Sequence, residues 1–248
     1  MSTIIYGKNP VREALEAGLP IQKIYIAAGG QQRRDQHIEH LAQSRGIPVR
    51  LVDRKKLIEL AGEQNTQGIV AIVPDFDYSE PESVLDIARQ KDEPPLCVIL
   101  DEIQDPHNLG AIIRSAEAFG FHGIFIPKDR SAGISDVVAK TSAGAISHMP
   151  IVRVTNLARQ IDEFKAQGIW IAGADQDALA SYYESNLTGP LGVVIGSEEK
   201  GMRRLIREKC DFLVRIPMVG KINSLNASVA AALLFAEVRK QRTVGFKK

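Results

Sequence analysis

The sequence predicts an α/β protein with a small N-terminal domain and a larger C-terminal domain, the latter built on an open, mostly parallel sheet with helices on both faces. Three observations support this fold class. Near-continuous apolar runs recur in the C-terminal part, and segments with helical spacing separate them. A short acidic stretch divides this part from an N-terminal block whose patterns are shorter.

The first 74 residues alternate between helical and strand patterns. Val11, Ala14 and Leu15 share one face of a predicted helix over 9–18, which Gly18 ends. A second helix and three strands are predicted over 34–46, 22–28, 48–52 and 68–73. A block of this length is too short for a complete dinucleotide-binding fold, which is built from two mononucleotide-binding halves. We therefore predict a small α/β domain over 1–74.

The segment 75–94 is the predicted linker between the domains. It carries seven acidic and two basic residues, whereas the blocks on either side are mildly basic. Ser79 and Glu82 have the spacing of a capping box, which predicts a short helix inside the linker. The alternative is a surface helix within one continuous domain. The predicted C-terminal domain covers 95–248.

Strands of the C-terminal domain are predicted from apolar runs of the kind that a parallel sheet buries on both faces. These runs lie at 96–101, 123–127, 168–174, 191–196 and 212–217. Helical patterns lie at 108–119, 135–144, 156–167, 202–209 and 226–240. In such a sheet, ligands bind beyond the carboxyl ends of the strands. The loops that follow the strands are therefore the candidate functional segments.

Composition excludes several classes of protein. Apolar residues make up 44% of the chain, which excludes wholesale disorder, and no apolar run approaches the ~18 residues that cross a bilayer. The N-terminal residues lack a secretory pattern, so we expect a cytoplasmic protein. Cys97 and Cys210 are too few for a disulfide framework or a Cys-based zinc site. His37 and His40 lack an apparent third ligand, so we expect no metal.

The first candidate loop and helix cover 101–120. Asp105 and Pro106 predict a turn, Asn108 is a candidate N-cap, and Gly110 permits a close approach to the first helical turn. Arg114 follows on the same helix. These residues place an amide and a guanidinium near the end of a strand. The alternative is a capped amphipathic helix with a solvated arginine.

The second candidate loop is GSEEKG at 196–201, whose glycines have the spacing of a phosphate-binding loop. Met202 and Arg203 stand where that loop requires Lys and Ser or Thr, and Glu198 and Glu199 would repel a phosphate. A cationic or polar ligand, such as the sulfonium of S-adenosylmethionine, fits this loop better. The alternative is an ordinary glycine turn.

The third candidate segment, 215–242, contains a strand end, a loop and an alanine-rich helix. Ser224 or Asn226 can cap this helix, whose first N–H groups need partners. Small side chains at Ala227 and Ala230–Ala232 permit close packing of a ligand or of another backbone. The alternative is a well-capped buried helix.

Together these segments resemble the SpoU/TrmH branch of the SPOUT methyltransferases, which methylate ribose 2′-hydroxyls in RNA with S-adenosylmethionine. The resemblance rests on NLGAIIR at 108–114, GSEEKG at 196–201, IPM at 216–218 and NSLNAS at 223–228. It covers 96–242, and the N-terminal block resembles the ribosomal-protein-like RNA-binding domain of this branch. The motifs are most similar to those of enzymes that act on a guanosine in the peptidyl-transferase region of 23S rRNA.

The resemblance implies a deep trefoil knot in the C-terminal domain and a homodimer. It implies that S-adenosylmethionine contacts Gly196, Ile216, Met218, Leu225 and Ser228. It also implies that Arg114 acts at the reacting hydroxyl, with orienting groups at Asn108, Glu198 and Asn226. Three alternatives stay open: methylation of a tRNA D-loop guanosine, a non-catalytic RNA-binding factor in ribosome assembly, and an α/β enzyme that uses a nucleotide.

Basic residues near these loops are the predicted RNA contacts, although a solvated basic face would look the same in sequence. In the C-terminal domain they are Lys128, Arg130, Arg203, Arg204 and Arg207. In the N-terminal domain the candidates are Tyr6, Gly7, Asn9, Arg12 and the loop 64–67.

Overall fold

The computed structural model describes residues 3–28, 35–62, 64–74, 76–221 and 224–245. The chain forms two compact units, Met1–Asp77 and Tyr78–Lys248. The boundary falls inside the predicted linker. Most of that segment belongs to the second unit, where the helix Pro81–Gln90 buries Val84, Leu85 and Ala88. The apolar face of this helix is therefore part of the core of the second unit.

The first unit is a four-stranded mixed sheet with three helices. Its strands are β1 (Thr3–Tyr6), β2 (Lys23–Ala27), β3 (Val49–Val52) and β4 (Ile69–Val73). Its helices are α1 (Lys8–Glu16), α2 (Gln36–Ser44) and α3 (Arg54–Ala61). The strand order is β1-β4-β2-β3, with β4 antiparallel to both of its neighbours and β2 parallel to β3. The sequence patterns missed β1 and α3, and residue 34 of the predicted second helix lies outside the described residues.

One apolar core holds the first unit together. The predicted helical face, Val11, Ala14 and Leu15, is buried against Ile24 of β2 and Ile38 of α2. The side chains of Asp35 and Asp53 cap α2 and α3 by accepting hydrogen bonds from backbone N–H groups.

The second unit is built on a seven-stranded sheet. Its strands are β5 (Leu96–Leu100), β6 (Gly123–Pro127), β7 (Ile151–Val154), β8 (Trp170–Ala174), β9 (Ala180–Ser181), β10 (Leu191–Ile195) and β11 (Phe212–Arg215). Its helices are α4 (Pro81–Gln90), α5 (Pro106–Ala118), α6 (Asp136–Thr141), α7 (Leu157–Ala166), α8 (Arg204–Lys209) and α9 (Ala227–Gly245), with a short 3₁₀ turn at Ala145–Ser147. The strand order is β7-β6-β5-β10-β8-β11-β9, and neighbouring strands pair in parallel. The predicted open parallel sheet is confirmed.

Helices cover both faces of this sheet. On one face, α4, α7 and α8 pack against side chains such as Cys97, Ile99 and Phe125. Side chains alternate along a strand, so the intervening residues face the opposite layer, where α5 and α9 pack together and Phe121 contacts Phe235. None of the helices in the described ranges is long and apolar enough to cross a membrane.

The start of α5 differs from its predicted form. Asp105, not Asn108, caps the helix by accepting a hydrogen bond of 2.9 Å from the backbone N–H of His107, and Pro106 occupies the first turn. This leaves the amide of Asn108 available for other contacts. The close approach predicted at Gly110 comes from α6, because a Cβ there would lie 2.7 Å from Thr141 Cβ.

Candidate active site

A cleft of about 430 Å³ lies beyond the carboxyl ends of β8, β10 and β11. Its volume is within the range of small-molecule sites. Four of the five predicted cofactor positions line it: Gly196, Ile216, Met218 and Leu225. The fifth, Ser228, is not among the lining residues; its N–H and hydroxyl donate to Asn226 Oδ1 at 3.0 and 2.6 Å. Ser228 therefore supports the cap of α9.

Three polar side chains from distant parts of the chain meet at the rim of this cleft. Asn108 Nδ2 donates to Glu198 Oε1 at 2.7 Å, and Asn226 Nδ2 donates to the same oxygen at 2.5 Å. Asn226 Nδ2 also lies 2.8 Å from Asn108 Oδ1. The backbone N–H of Ala227 adds a third donor to Glu198, at 3.1 Å. The predicted orienting groups thus form one hydrogen-bonded cluster, and Asn226 caps α9. Asn223 of the same motif lies outside the described residues.

The loop that carries Glu198 is a closed turn. Ser197 and Gly201 exchange backbone hydrogen bonds of 3.0 and 2.9 Å, and Gly201 has a φ of 64°. A Cβ on Gly196 would lie 2.2 Å from the carbonyl carbon of Gly201, so only glycine fits there. The turn holds Glu198 toward α9 rather than wrapping an anion. This geometry supports the interpretation that the loop is not a phosphate-binding loop.

Acidic residues after β8 line the same cleft, and the sequence patterns did not single them out. They are Asp175 and Asp177. Arg207 Nε donates to Asp175 Oδ2 at 2.6 Å, and this hydrogen bond together with the charge of Asp175 raises the pKa of Arg207. The signal was available, because ADQD at 174–177 follows a predicted strand in the same way as the other candidate loops.

Arg114 is exposed on α5, six residues beyond Asn108, and is not among the residues that line the cleft. Within the described ranges, its guanidinium makes no hydrogen bond or ion pair that would fix it. The structure therefore brings Asn108, Glu198 and Asn226 together in one chain but does not add Arg114 to them. A free guanidinium is available to an external ligand.

The predicted RNA contacts of the second unit differ in how strongly they are held. Arg203 is fixed by the fully buried Asp101: its Nη2 lies 2.6 Å from Oδ1, and its backbone N–H donates to Oδ2 at 2.7 Å. This structural role was not predicted. Arg130 forms a weaker ion pair with Glu102 at 3.4 Å. Arg204 pairs with Glu208 on the surface of α8, and Lys128 is exposed after β6.

The N-terminal candidates converge near the end of β1. Tyr6 Oη donates to Gln64 Oε1 at 3.3 Å, and the backbone N–H of Lys8 donates to Gln67 Oε1 at 3.0 Å. Arg12, one turn along α1, donates to Asn9 Oδ1 at 2.9 Å. The structure therefore gathers these predicted RNA contacts into one polar surface of the first unit.

Both cysteine thiols lie in surroundings that disfavour the thiolate form. Burial raises the pKa of both Cys97 and Cys210 to about 12, so neither is a thiolate at neutral pH. Among the described residues, no group of three His, Cys, Asp or Glu side chains is arranged to hold a metal ion.

Two family models match the chain. Residues 95–236 match the SpoU rRNA Methylase family, and residues 4–79 match the model for RNA 2′-O ribose methyltransferase substrate binding. The chain belongs to the SpoU/TrmH family of RNA methyltransferases. The resemblance seen in the sequence motifs is thereby confirmed at the level of the family.

Similar SpoU/TrmH proteins span nearly the whole chain. A Bacillus subtilis (strain 168) protein, YacO, assigned by name to the TrmH family of tRNA/rRNA methyltransferases, is 48% identical over 97% of this chain and 97% of its own. A Staphylococcus haemolyticus protein with the same family name is 44% identical over 98% of this chain and 97% of its own.

Solved SpoU structures share the fold. The SpoU methyltransferase AviRb from Streptomyces viridochromogenes, solved in complex with the cofactor AdoMet, matches with a TM-score of 0.66 and 26% identity over 98% of this chain and 92% of its own. The A. aeolicus TrmH/SpoU tRNA modifying enzyme matches with a TM-score of 0.57 and 28% identity over 62% of this chain and 78% of its own.

Proposed function

We propose that this SpoU-type enzyme uses S-adenosylmethionine to methylate the ribose 2′-hydroxyl of a guanosine in the peptidyl-transferase region of 23S rRNA, in the cytoplasm. The observation that carries the methyl-transfer proposal is the cluster of Asn108, Glu198 and Asn226 at the rim of the cleft. The guanosine and the 23S rRNA rest on the motif resemblance.

The volume and the lining of the cleft suit S-adenosylmethionine. Ile216, Met218 and Leu225 offer an apolar wall for an adenine ring. The lining holds four carboxylates and two cationic side chains, Lys200 and Arg207, and this net negative charge suits a ligand with a sulfonium and an ammonium group. Bound there, the cofactor supplies an electrophilic methyl group.

The residues around the cleft would orient the RNA hydroxyl. A ribose hydroxyl is a poor nucleophile and must lose its proton as it attacks. Arg114 is an unsuitable base because its guanidinium group has no lone pair that readily takes up a proton. We propose instead that Arg114 positions the RNA phosphate and stabilises the developing alkoxide, while a phosphate oxygen or a neighbouring polar group takes the proton. Alignment of the hydroxyl supplies much of the remaining rate enhancement.

We propose that the enzyme is a homodimer with a knotted catalytic unit, as in the family it resembles. On α9, Ala231, Leu234 and Phe235 are buried within the unit, whereas Val229 and Leu233 remain exposed. A partner covering this exposed face would explain why Arg114 stands apart from the cleft of its own chain, since a guanidinium from the partner would complete the site. Sedimentation should show a particle of about twice the 27.2 kDa chain mass, and a fully active monomer would contradict the proposal.

We propose that the first unit selects the RNA through the surface around Tyr6, Arg12 and Gln64. The second candidate substrate is a tRNA D-loop guanosine. The similarity to a tRNA modifying enzyme from A. aeolicus favours keeping it. A non-catalytic assembly factor is disfavoured by the intact cluster at the cleft.

Equilibrium dialysis with labelled S-adenosylmethionine and ribose-methylation mapping of RNA, from cells with and without the protein, test the proposal. We expect saturable cofactor binding and one 23S rRNA guanosine that loses its 2′-O-methyl group when the protein is absent. A lost tRNA D-loop methyl group would establish the second candidate. Tight binding of NAD or ATP without S-adenosylmethionine uptake would overturn methyl transfer altogether.

A further inference from the structure

A second groove, of about 350 Å³, lies beyond the carboxyl ends of β6 and β7. The segment 202–207, which includes most of α8, separates it from the proposed cofactor cleft. Met202 and Arg207 line the cleft, whereas Arg203, Leu205 and Ile206 line the groove. A ligand in the groove would therefore lie one helix away from the cleft, a separation of roughly 10 Å.

The groove combines an apolar floor with a charged rim that includes Arg130, Arg203 and the carboxylate Asp129. Pro127, Leu157 and Ile206 form the floor, and the partly exposed Leu205 extends it to the surface. Arg130 and Arg203 also line the groove. An apolar slot beside planar guanidinium groups suits the face of an unstacked nucleobase, because arginine both stacks on such rings and pairs with phosphates. A free phosphate alone would gain nothing from the apolar floor.

Part of the rim is held in place before any ligand binds. Arg203 is anchored by Asp101, as described above. Glu102 and Arg130, which pair with each other at 3.4 Å, both adopt the left-handed backbone conformation, with φ values of 60° and 58°. Non-glycine residues adopt this conformation at a cost, and such strain is concentrated at functional sites. The loops after β5 and β6 therefore meet at a point that the proposed mechanism does not use.

We propose that this groove binds a nucleobase of the RNA next to the methylated nucleotide, splayed out of its stack, while Lys128 and Arg204 contact the adjoining phosphates. The proposal rests on the RNA substrate of the proposed function and deepens it: the enzyme recognises a single-stranded or opened segment at two neighbouring positions. Recognition of an unstacked base is the usual route to sequence-specific RNA binding.

The test compares two RNA probes by fluorescence anisotropy: a ten-nucleotide oligouridylate and an abasic ribose-phosphate strand of equal length. Leu205→Asn removes the exposed part of the floor without changing charge. Its control is Ile58→Asn, because Ile58 and Leu205 are both helical and both 53% exposed. We expect the wild type and the control to prefer oligouridylate. We expect Leu205→Asn to weaken oligouridylate binding by about tenfold, or about 1.4 kcal/mol, with little effect on the abasic strand.

The remaining outcomes separate this proposal from the proposed function. Equal weakening of both probes, no weakening, or no base preference in the wild type would each overturn the nucleobase groove. Arg130→Gln, on an exposed loop, provides a second variant if Leu205→Asn lowers Tm, and it should also reduce the preference for oligouridylate. A wild type that fails to bind S-adenosylmethionine would overturn methyl transfer, while the comparison of the probes would still decide the role of the groove.

Discussion

The two units differ in strand direction, and this difference determines where functional loops can meet. In the first unit, β4 runs antiparallel to β1 and β2, so the carboxyl end of β4 lies at the edge opposite to the carboxyl ends of β1, β2 and β3. In the second unit the paired strands are parallel, and their carboxyl ends share one edge. Asn108, Glu198 and Asn226 can therefore meet although they are far apart in sequence.

The units also differ in what their strands bury. All five residues of β5, β6 and β10 are buried, whereas those of β3 are half-buried or exposed. A sheet covered on both faces leaves only its edges for ligands, and the cleft and the groove both lie at the carboxyl edge. The first unit instead presents a polar surface built from short loops. This contrast supports assigning the chemistry to the second unit and RNA selection to the first.

The variant with the largest expected effect tests whether methyl transfer at the carboxyl edge of the parallel sheet needs Arg114. Arg114→Ala should lower the single-turnover methylation rate by ~10²–10³, or about 2.7–4 kcal/mol, because one preorganised group that stabilises the alkoxide is lost. The affinity for S-adenosylmethionine, measured by calorimetry, should change by less than about tenfold. Arg114→Lys keeps the positive charge but lacks the planar guanidinium group with its several donors, so it should restore little activity. Near-normal rates in Arg114→Ala would make Arg114 a solvated surface residue.

Sequence patterns predicted the second unit better than the first, for a physical reason. Strands buried on both faces need continuous apolar runs, and β5, β6, β8, β10 and β11 all begin and end close to their predicted bounds. In β7 the exposed Arg153 interrupts such a run, and the strand was missed. In the first unit, β1 spans only four residues, and α3 buries only Leu57 fully, so neither gave a clear periodic pattern.

Sequence patterns predicted the parts of the candidate site that depend on a local motif. They did not predict the parts that depend on a contact between residues far apart in sequence. The turn at 196–201 and the cap at Asn226 follow local rules for glycine and for N-caps. The ion pair of Asp101 with Arg203 joins residues 102 positions apart, and only the pairing of β5 with β10 brings them together. No local pattern encodes that contact.

Separating the units tests whether the second unit performs methyl transfer while the first selects the RNA. A fragment 78–248 should fold and bind S-adenosylmethionine with normal affinity, but its kcat/KM on ribosomal RNA should fall by about 100-fold, because the linked RNA-binding unit is gone. Its control is a fragment 95–248, which also lacks α4. That fragment should show a lower Tm, since Val84 and Leu85 no longer fill the core. If 78–248 methylates RNA as well as the full chain, the first unit does not select the substrate.

The variant Glu198→Ala tests whether the carboxylate of Glu198 holds the loops of the site together. Glu198 Oε1 accepts hydrogen bonds from Asn108, Asn226 and the backbone N–H of Ala227, so its removal leaves three donors without that partner. We expect the affinity for S-adenosylmethionine to fall by about tenfold, or about 1.4 kcal/mol. Glu199→Ala, in the same turn, is the matched control and should bind nearly normally. Equal effects in both variants would show that only the net charge of the loop matters.

The smallest expected effect is on thermal stability. It concerns His122, which is buried at the amino-terminal edge of the parallel sheet, opposite the cleft. Its Nδ1 accepts a hydrogen bond of 3.0 Å from the backbone N–H of Leu96. Burial lowers the pKa of His122, an effect that the nearby Glu93 partly opposes and that Lys91 and Arg242 reinforce.

Because its pKa is lower in the folded state than the unfolded value of about 6.5, the unfolded chain binds the proton first. The stability associated with neutral His122 is therefore complete above pH 6.5 and is lost as the pH falls through the folded-state pKa. Thermal unfolding should show Tm decreasing between pH 6.5 and 5 in the wild type. His122→Asn, which keeps an acceptor for Leu96, should be less stable at pH 7.5 but should show a smaller decrease. Since this edge lies away from the cleft, affinity for S-adenosylmethionine at pH 7.5 should not change. An equal decrease of Tm in both proteins would assign the pH dependence to other groups.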